Sequence, residues 1–265
     1  MLAKMTMEPH FMDWNRKWGA PFGLEGRSVD PNAFHGSLSA DACQEISRLG
    51  MFSAQPNNST RVFEYPWAYF HADLGSSMKI LEIGGGLSGF QFALSREGHT
   101  VDNVDPGMEV FGFQISQASV DTLNRMFGTN VTIMPCEIES ARLASGSYDR
   151  AFAVSVLEHL SSDAIAAAMN KVHAALKPGG LFVLTVDLFL DVTPFSRKET
   201  NKWGRNVPIP SLLDSSKFEI VHGLREELYG FDEFDARGIL RNAHHYFVGR
   251  NYPTLIQTMV LRRTN

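Results

Sequence analysis

An apolar run over residues 78–83 breaks directly into Gly84-Gly85-Gly86, and a helical stretch follows from about 89 to 97. No other feature of this chain limits its fold as much. A short apolar run bounded by glycines reads as a buried strand, and the turn behind it feeds a helix. Gly84, Gly86 and Gly89 fit G-x-G-x-x-G, a spacing that permits a tight turn and close approach to the backbone. The pattern then repeats. Residues 100–104 read as a second strand ending at Asp105-Pro106-Gly107, and a helical segment runs through Met126. Strands follow at 131–134, 150–154 and 181–186, with a helix at 165–176 and the turn Lys177-Pro178-Gly179-Gly180 before the fifth strand. Two more strands are expected at 218–221 and 255–261. Strands alternating with helices imply an α/β fold, a mostly parallel Rossmann-like sheet with right-handed crossovers and helices on both faces.

At 265 residues, one such domain with elaborations accounts for the chain. The division expected is an N-terminal extension, residues 1–76, and a ligand-binding domain, residues 77–265. The extension has no alternating strand pattern. Its Trp14, Trp18, Phe22 and Phe34 require burial, either as ordinary packing on the main domain or as a cover over a substrate pocket. The stretch 194–210 carries turn residues and reads as a surface excursion. With 20% charged residues, a formal charge of -5 and no dense Lys/Arg block, the chain lacks the footprint a phosphate backbone demands, so nucleic acid is a poor partner. No apolar run is long enough to cross a bilayer, and residues 1–10 do not read as a secretory signal, so a cytoplasmic location is expected. Cys43 and Cys136 read as reduced, mostly buried thiols, not as a disulfide or a zinc site. The sequence is silent on oligomeric state.

In an open α/β sheet, ligands bind beyond the carboxyl ends of the strands, where strand order reverses. Acids stand at three consecutive strand ends here. Glu82 precedes the glycines; it would repel a pyrophosphate but can orient the cationic amino-acid end of S-adenosylmethionine through water. Asp105 lies roughly 20 residues after the glycines, the spacing at which a carboxylate accepts from ribose hydroxyls. Glu137 can accept from an adenine amino group while Ile138 lies along the ring. Gly85, Pro106 and Ser155 complete the expected cofactor-binding set.

Taken in order, Leu81-Glu82-Ile83-Gly84-Gly85-Gly86, Val104-Asp105, Cys136-Glu137-Ile138-Glu139, Gly146-Ser147-Tyr148-Asp149, Val156-Leu157-Glu158-His159-Leu160 and Leu176-Lys177-Pro178-Gly179-Gly180 resemble the class I S-adenosylmethionine-dependent methyltransferase family. The likeness runs from about 78 to 186. It implies a seven-stranded sheet with one antiparallel strand, which 255–261 would supply, and S-adenosyl-L-methionine as cofactor; the absence of a basic face and the aromatic-rich flanking segments lead to the expectation of a small or medium-sized acceptor such as a natural-product or sugar hydroxyl. Members commonly have Gly at the position of Ser88 and Asp at that of Glu137; the chain departs from both. Because a sulfonium methyl is already activated, alignment and water exclusion are the main demands, and a general base assists a hydroxyl acceptor. The candidate bases are His159, His244 and His245, with Asp187 and Tyr229 as weaker candidates; no metal is expected. Two rival readings are a catalytically inactive S-adenosylmethionine-binding partner or regulatory protein and an NAD-dependent oxidoreductase.

Overall fold

The computed structural model describes residues 1–30, 38–107, 115–214 and 217–264. Phe34, among the aromatic residues expected to need burial, lies outside them, as do 108–114 behind Asp105. Seven strands, β1 (Lys79–Ile83), β2 (Thr100–Val104), β3 (Val131–Met134), β4 (Tyr148–Val154), β5 (Leu176–Phe189), β6 (Phe218–His222) and β7 (Thr254–Arg263), form one sheet of order β3-β2-β1-β4-β5-β7-β6. β7 runs antiparallel to β5 and β6, while the strands from β3 to β5 are parallel. The order reverses between β1 and β4, so their carboxyl ends mark the crevice.

Three helices precede β1, α1 (Pro9–Trp18), α2 (Ala40–Leu49) and α3 (Arg61–His71), and five follow it between strands: α4 (Gly89–Arg96), α5 (Gln117–Phe127), α6 (Ser162–Ala175), α7 (Ile209–Asp214) and α8 (Ala236–Arg241). Three start on a serine whose side chain accepts a first-turn amide: Ser39, Ser116 and Ser161 cap α2, α5 and α6. Two local expectations need correction. Lys177-Pro178-Gly179-Gly180 is not a turn ahead of β5 but an outward bulge inside its ladder, since Tyr148 and Arg150 of β4 pair with Leu176 and Leu181. The 194–210 stretch is not purely a surface excursion either. Asn206 is buried and holds both the N–H and the carbonyl of Phe189, and Val207 and Ile209 enter the core.

Strand periodicity divides the core into two layers. Leu81, Ile83, Ala151, Ala153, Leu184, Val186 and Leu261 face α6 and α7. Ile80, Phe152, Val183 and Val260 face the other way, and there they share a cluster with Trp14, Phe52, Tyr65 and Trp67 of residues 1–76. Trp18 and Phe22 are half-buried. Each fully buried side chain of this size contributes about 1.5–3 kcal/mol. The N-terminal residues therefore build this core layer together with Phe90 and Phe92 of α4 and Val120 and Leu123 of α5.

Pro66 inside α3 has no N–H to give the carbonyl of Val62. Asn15 of α1 donates to that carbonyl at 2.7 Å, which fixes the two helices to each other. The geometry has a consequence for the site. On the face that α3 covers, residue type changes along each strand: Ile80 gives way to Glu82 on β1, and Val183 to Thr185 and Asp187 on β5. The layer turns polar at the carboxyl ends.

Candidate functional site

Gly84 and Gly86 take φ of 64° and 57°, so the turn after β1 needs residues without a Cβ. The turn is held from behind. Asn103 of β2, fully buried, accepts from the Gly85 N–H and donates to the Gly86 carbonyl at 3.0 Å, a carbonyl that also accepts from Gln91. Asp105 accepts from the Gly86 N–H at 2.9 Å and from the Gly107 N–H at 2.8 Å, one bond to each carboxylate oxygen. A carboxylate has about four acceptor positions, so Asp105 keeps capacity for a ligand while it shapes the turn.

Glu82 lies beneath this turn with only 2% of its surface exposed. Its Oε1 is 3.5 Å from the Ser88 hydroxyl, and its Oε2 has no partner among the described residues. Burial, reinforced by the charge of Asp105, pushes its pKa up to about 8. Glu137 is exposed and opens the short 3-10 turn Ile138–Ser140, and Ile138 is buried in the apolar cluster that includes Val104 of β2 and Ala151 and Ala153 of β4. Pro106 is exposed at the mouth.

A second polar group lies where β4 and β5 end. Ser155 follows β4 with φ of 49°, an uncommon conformation for a residue with a side chain. Its hydroxyl is 2.6 Å from Glu64 Oε1 and 3.2 Å from Asp187 Oδ1, and accepts from Arg61 at 2.8 Å. Arg61 also pairs with Glu64, the Thr185 hydroxyl donates to Glu64, and the Tyr252 hydroxyl donates to Asp187. One hydroxyl has one hydrogen. If Ser155 gives it to Glu64, its contact with Asp187 is a hydrogen bond only when Asp187 is protonated. The electrostatics agree: burial and the charges of Glu158 and Glu64 push Asp187 well above the usual carboxylate range, whereas Glu64, despite burial, is held below it by Arg61 and the hydroxyls. Glu158, 1% exposed, is pushed by burial up to about 7, and its Oε2 has no partner among the described residues.

His159 sits at the rim of this group. Its Nδ1 is 2.5 Å from the carbonyl of Trp203. A carbonyl only accepts, so Nδ1 carries the hydrogen and Nε2 presents a lone pair. Desolvation by the surrounding chain lowers its pKa, opposed by the Trp203 carbonyl and Asp187. Trp203 in turn packs on Tyr252 at 4.9 Å between ring centres. His244 and His245 lie elsewhere: both are exposed, in a 3-10 turn beside Tyr246, which bridges to Lys4 in the segment paired outside β7. Tyr229 is half-buried in a small apolar cluster with Leu2, Leu188 and Leu255. The structure thus brings His159 and Asp187 together and leaves those three outside the group.

Sequence reasoning missed Arg61, Glu64, Asn103, Glu158 and Tyr252. Asn103 and Glu158 fall inside recognisable motifs and could have been singled out as polar residues at otherwise apolar positions. Arg61 and Glu64 carry an i,i+3 signal that an ordinary surface helix would also show.

What this crevice can hold follows from its unmatched atoms. A buried acid with a free oxygen beneath a turn free of Cβ atoms suits a ligand carrying an ammonium group, and Asp105 beside it suits ribose hydroxyls. Those residues fit an adenosyl amino acid. Among the described residues no cluster of three or more His, Cys, Asp or Glu side chains could hold a metal, and no helix is long and apolar enough to cross a membrane. Cys43 and Cys136 are free and half-buried.

Comparison with known proteins bears on the same segment. Residues 80–180 match the family model described as a methyltransferase domain. Two uncharacterized proteins of Mycobacterium tuberculosis are each 31% identical over 103 residues, covering 39% of this chain and 33% of theirs, so the match spans a third of the length of these curated relatives. A 1,6-didemethyltoxoflavin N1-methyltransferase of Burkholderia thailandensis, solved with 1,6-didemethyltoxoflavin and S-adenosylhomocysteine, is similar with a TM-score of 0.51 at 22% identity, over 76% of this chain and 77% of that one. A geranyl diphosphate C-methyltransferase of Streptomyces coelicolor, solved with S-adenosyl-L-homocysteine, gives 0.51 at 16% identity over 99% and 100%. At these identities the likeness is one of fold, and in the second case it extends through residues 1–76.

Proposed function

We propose that the chain is a class I S-adenosylmethionine-dependent methyltransferase, as the match of residues 80–180 to a methyltransferase domain supports, and that it transfers a methyl group from S-adenosylmethionine to a hydroxyl of a small or medium-sized acceptor of the natural-product or sugar kind. The observation that carries this reading is the buried, uncompensated Glu82 beneath a glycine turn whose partner acid, Asp105, is positioned for a nucleoside. Glu82 holds the ammonium of the amino-acid end, Asp105 the ribose, and Glu137 with Ile138 the adenine. When bound, the cofactor supplies a methyl group already activated as a sulfonium. The chain's own residues then align the acceptor, exclude water and take up one proton. His159 Nε2 is the proton acceptor, held in its tautomer by the Trp203 carbonyl. Residues 1–76 form the cover over the acceptor, with α3 sealing the polar end of the sheet. No observation favours the inactive rival, and an acid ahead of the glycines opposes a dinucleotide.

Calorimetric titration of the folded protein with S-adenosylmethionine and with S-adenosylhomocysteine is expected to give saturable binding of both; no heat and no thermal shift with either would end this reading. The pH dependence gives a second test. With a pKa of about 8, Glu82 carries a proton at pH 6–7 in the free protein and must release it to face an ammonium. Affinity for S-adenosylhomocysteine is therefore expected to rise by up to about tenfold per pH unit from pH 6 and to level off above pH 8. Glu82→Gln flattens that curve. A pH-independent wild-type affinity would show that Glu82 does not face the ammonium.

A further inference from the structure

The backbone from 201 to 206 crosses the carboxyl end of β5 and is fastened there at both ends. At one end the Asn201 amide donates to Asp191, just past β5, at 2.8 Å; at the other, Asn206 holds both backbone groups of Phe189, the last residue of the strand. The middle lies on the segment that carries His159. Arg205 donates from its backbone N–H to the Glu158 carbonyl at 3.3 Å, and from its guanidinium to the Leu160 carbonyl at 3.1 Å and the Ser162 hydroxyl at 2.9 Å. Gly204 fits between because a Cβ there would stand 2.3 Å from the Glu158 carbonyl oxygen.

Asn201 shapes the turn between these fastenings. Its Oδ1 accepts from the Trp203 N–H at 2.8 Å and from the Gly204 N–H at 3.0 Å, and its own N–H donates to the Gly204 carbonyl at 2.9 Å. A side chain that bonds the backbone two residues on forms an Asx turn, which sets the direction of the peptide groups after it. The Gly204 N–H and the Trp203 carbonyl belong to one trans peptide group. With the N–H directed at Asn201, the carbonyl points the opposite way, to His159 Nδ1 at 2.5 Å. Residues 196–200 ahead of the turn are exposed, whereas Asn201 is half-buried and both polar atoms of its side chain are engaged.

We propose that Asn201 is a positioning residue for the transfer step: by orienting the peptide group between Trp203 and Gly204 it keeps the hydrogen of His159 on Nδ1 and leaves the Nε2 lone pair to take the acceptor's proton. This rests on the methyl-transfer reading above and adds to it a residue outside the matched segment 80–180. Freed of that carbonyl, a neutral imidazole can carry its hydrogen on Nε2, where it cannot accept a proton.

Three forms of the full chain test it: wild type, Asn201→Ala, and the exchange Asn201→Asp with Asp191→Asn, which keeps an accepting oxygen at 201 and lets residue 191 donate to it. Nitrogen NMR of isotope-labelled histidine rings reads which nitrogen bears the hydrogen and needs no acceptor. Wild type is expected to show it on Nδ1. Asn201→Ala should shift it toward Nε2 and lower the His159 titration midpoint, because the Trp203 carbonyl favours the imidazolium; Asp187 and Arg61, whose charges also act on the ring, are unaltered. Release of S-adenosylhomocysteine over a panel of hydroxyl acceptors should slow about thirtyfold in Asn201→Ala, with affinity for S-adenosylhomocysteine within about twofold of wild type. The exchange should restore tautomer, midpoint and rate together. A wild-type hydrogen on Nε2, an alanine variant with the wild-type tautomer and midpoint, or an exchange variant no better than alanine overturns the assignment; the first two decide it even if the exchange variant does not fold. Failure of the wild type to bind S-adenosylhomocysteine sinks the methyl-transfer reading instead, and is measured separately from the ring nitrogens.

Discussion

Glu64→Ala is expected to lower folding stability by about 3–5 kcal/mol, the cost of leaving one partner of a buried ion pair alone. Glu64 is wholly buried and accepts from Arg61, Ser155 and Thr185 together, so the truncation strands a guanidinium and two hydroxyls at once. For a domain of this size the thermal midpoint should fall by roughly 10 °C. Glu64→Gln, which keeps acceptor positions for the hydroxyls, should cost less. The pH dependence is specific. Because its folded pKa is depressed, the contribution of Glu64 is present above its unfolded pKa and is lost as pH falls through the folded value. In the alanine variant, Asp187 is free of Glu64's repulsion and can ionise against Arg61, so the deficit should shrink as pH rises. Urea unfolding at two pH values measures both effects. A variant within about 1 kcal/mol of wild type would mean that the Arg61–Glu64 pair is not buried in solution.

His159→Ala should reduce turnover by roughly a hundred- to ten-thousandfold, the range for loss of a positioned general base. S-adenosylhomocysteine binding should be unchanged, because the ring bonds to Trp203 and not to the glycine turn. Since the pKa of His159 is lowered, Nε2 is unprotonated at neutral pH, and wild-type turnover should fall only on the acid side, below the ordinary histidine value. The variant's profile should lack that limb. Release of S-adenosylhomocysteine, followed over a panel of hydroxyl acceptors, provides the rate. A variant within threefold of wild type with an unchanged acid limb would assign the proton to another group; Glu158, buried with a free oxygen and a pKa of about 7, is the next to examine.

The two variants divide along the line between what could and could not be read from the chain. Strand periods, the glycine spacing and the acids at successive strand ends are local patterns, set by φ/ψ preference and by which face of a strand is wet. They therefore located β1 to β4 closely, and with them Glu82, Asp105 and Glu137. His159 was legible in the same way, as part of a motif following β4. Asn103 and Glu158 stood in view but were passed over, because a single polar residue in an apolar run says nothing of its partner until the neighbouring strand is in place.

The amino-acid order alone determined the alternation of strands and helices and the turn at which a nucleoside could be received, because both depend on contacts between residues a few positions apart. Only the tertiary structure decided that Arg61 and Glu64 meet Ser155, Thr185 and Asp187, separations of 91 residues from Glu64 to Ser155 and 121 from Glu64 to Thr185. It likewise placed His244 and His245 outside the crevice. The physical reason is that a buried polar group is stable only against a partner, and the partners here come from a helix that the sheet, not its own sequence, positions.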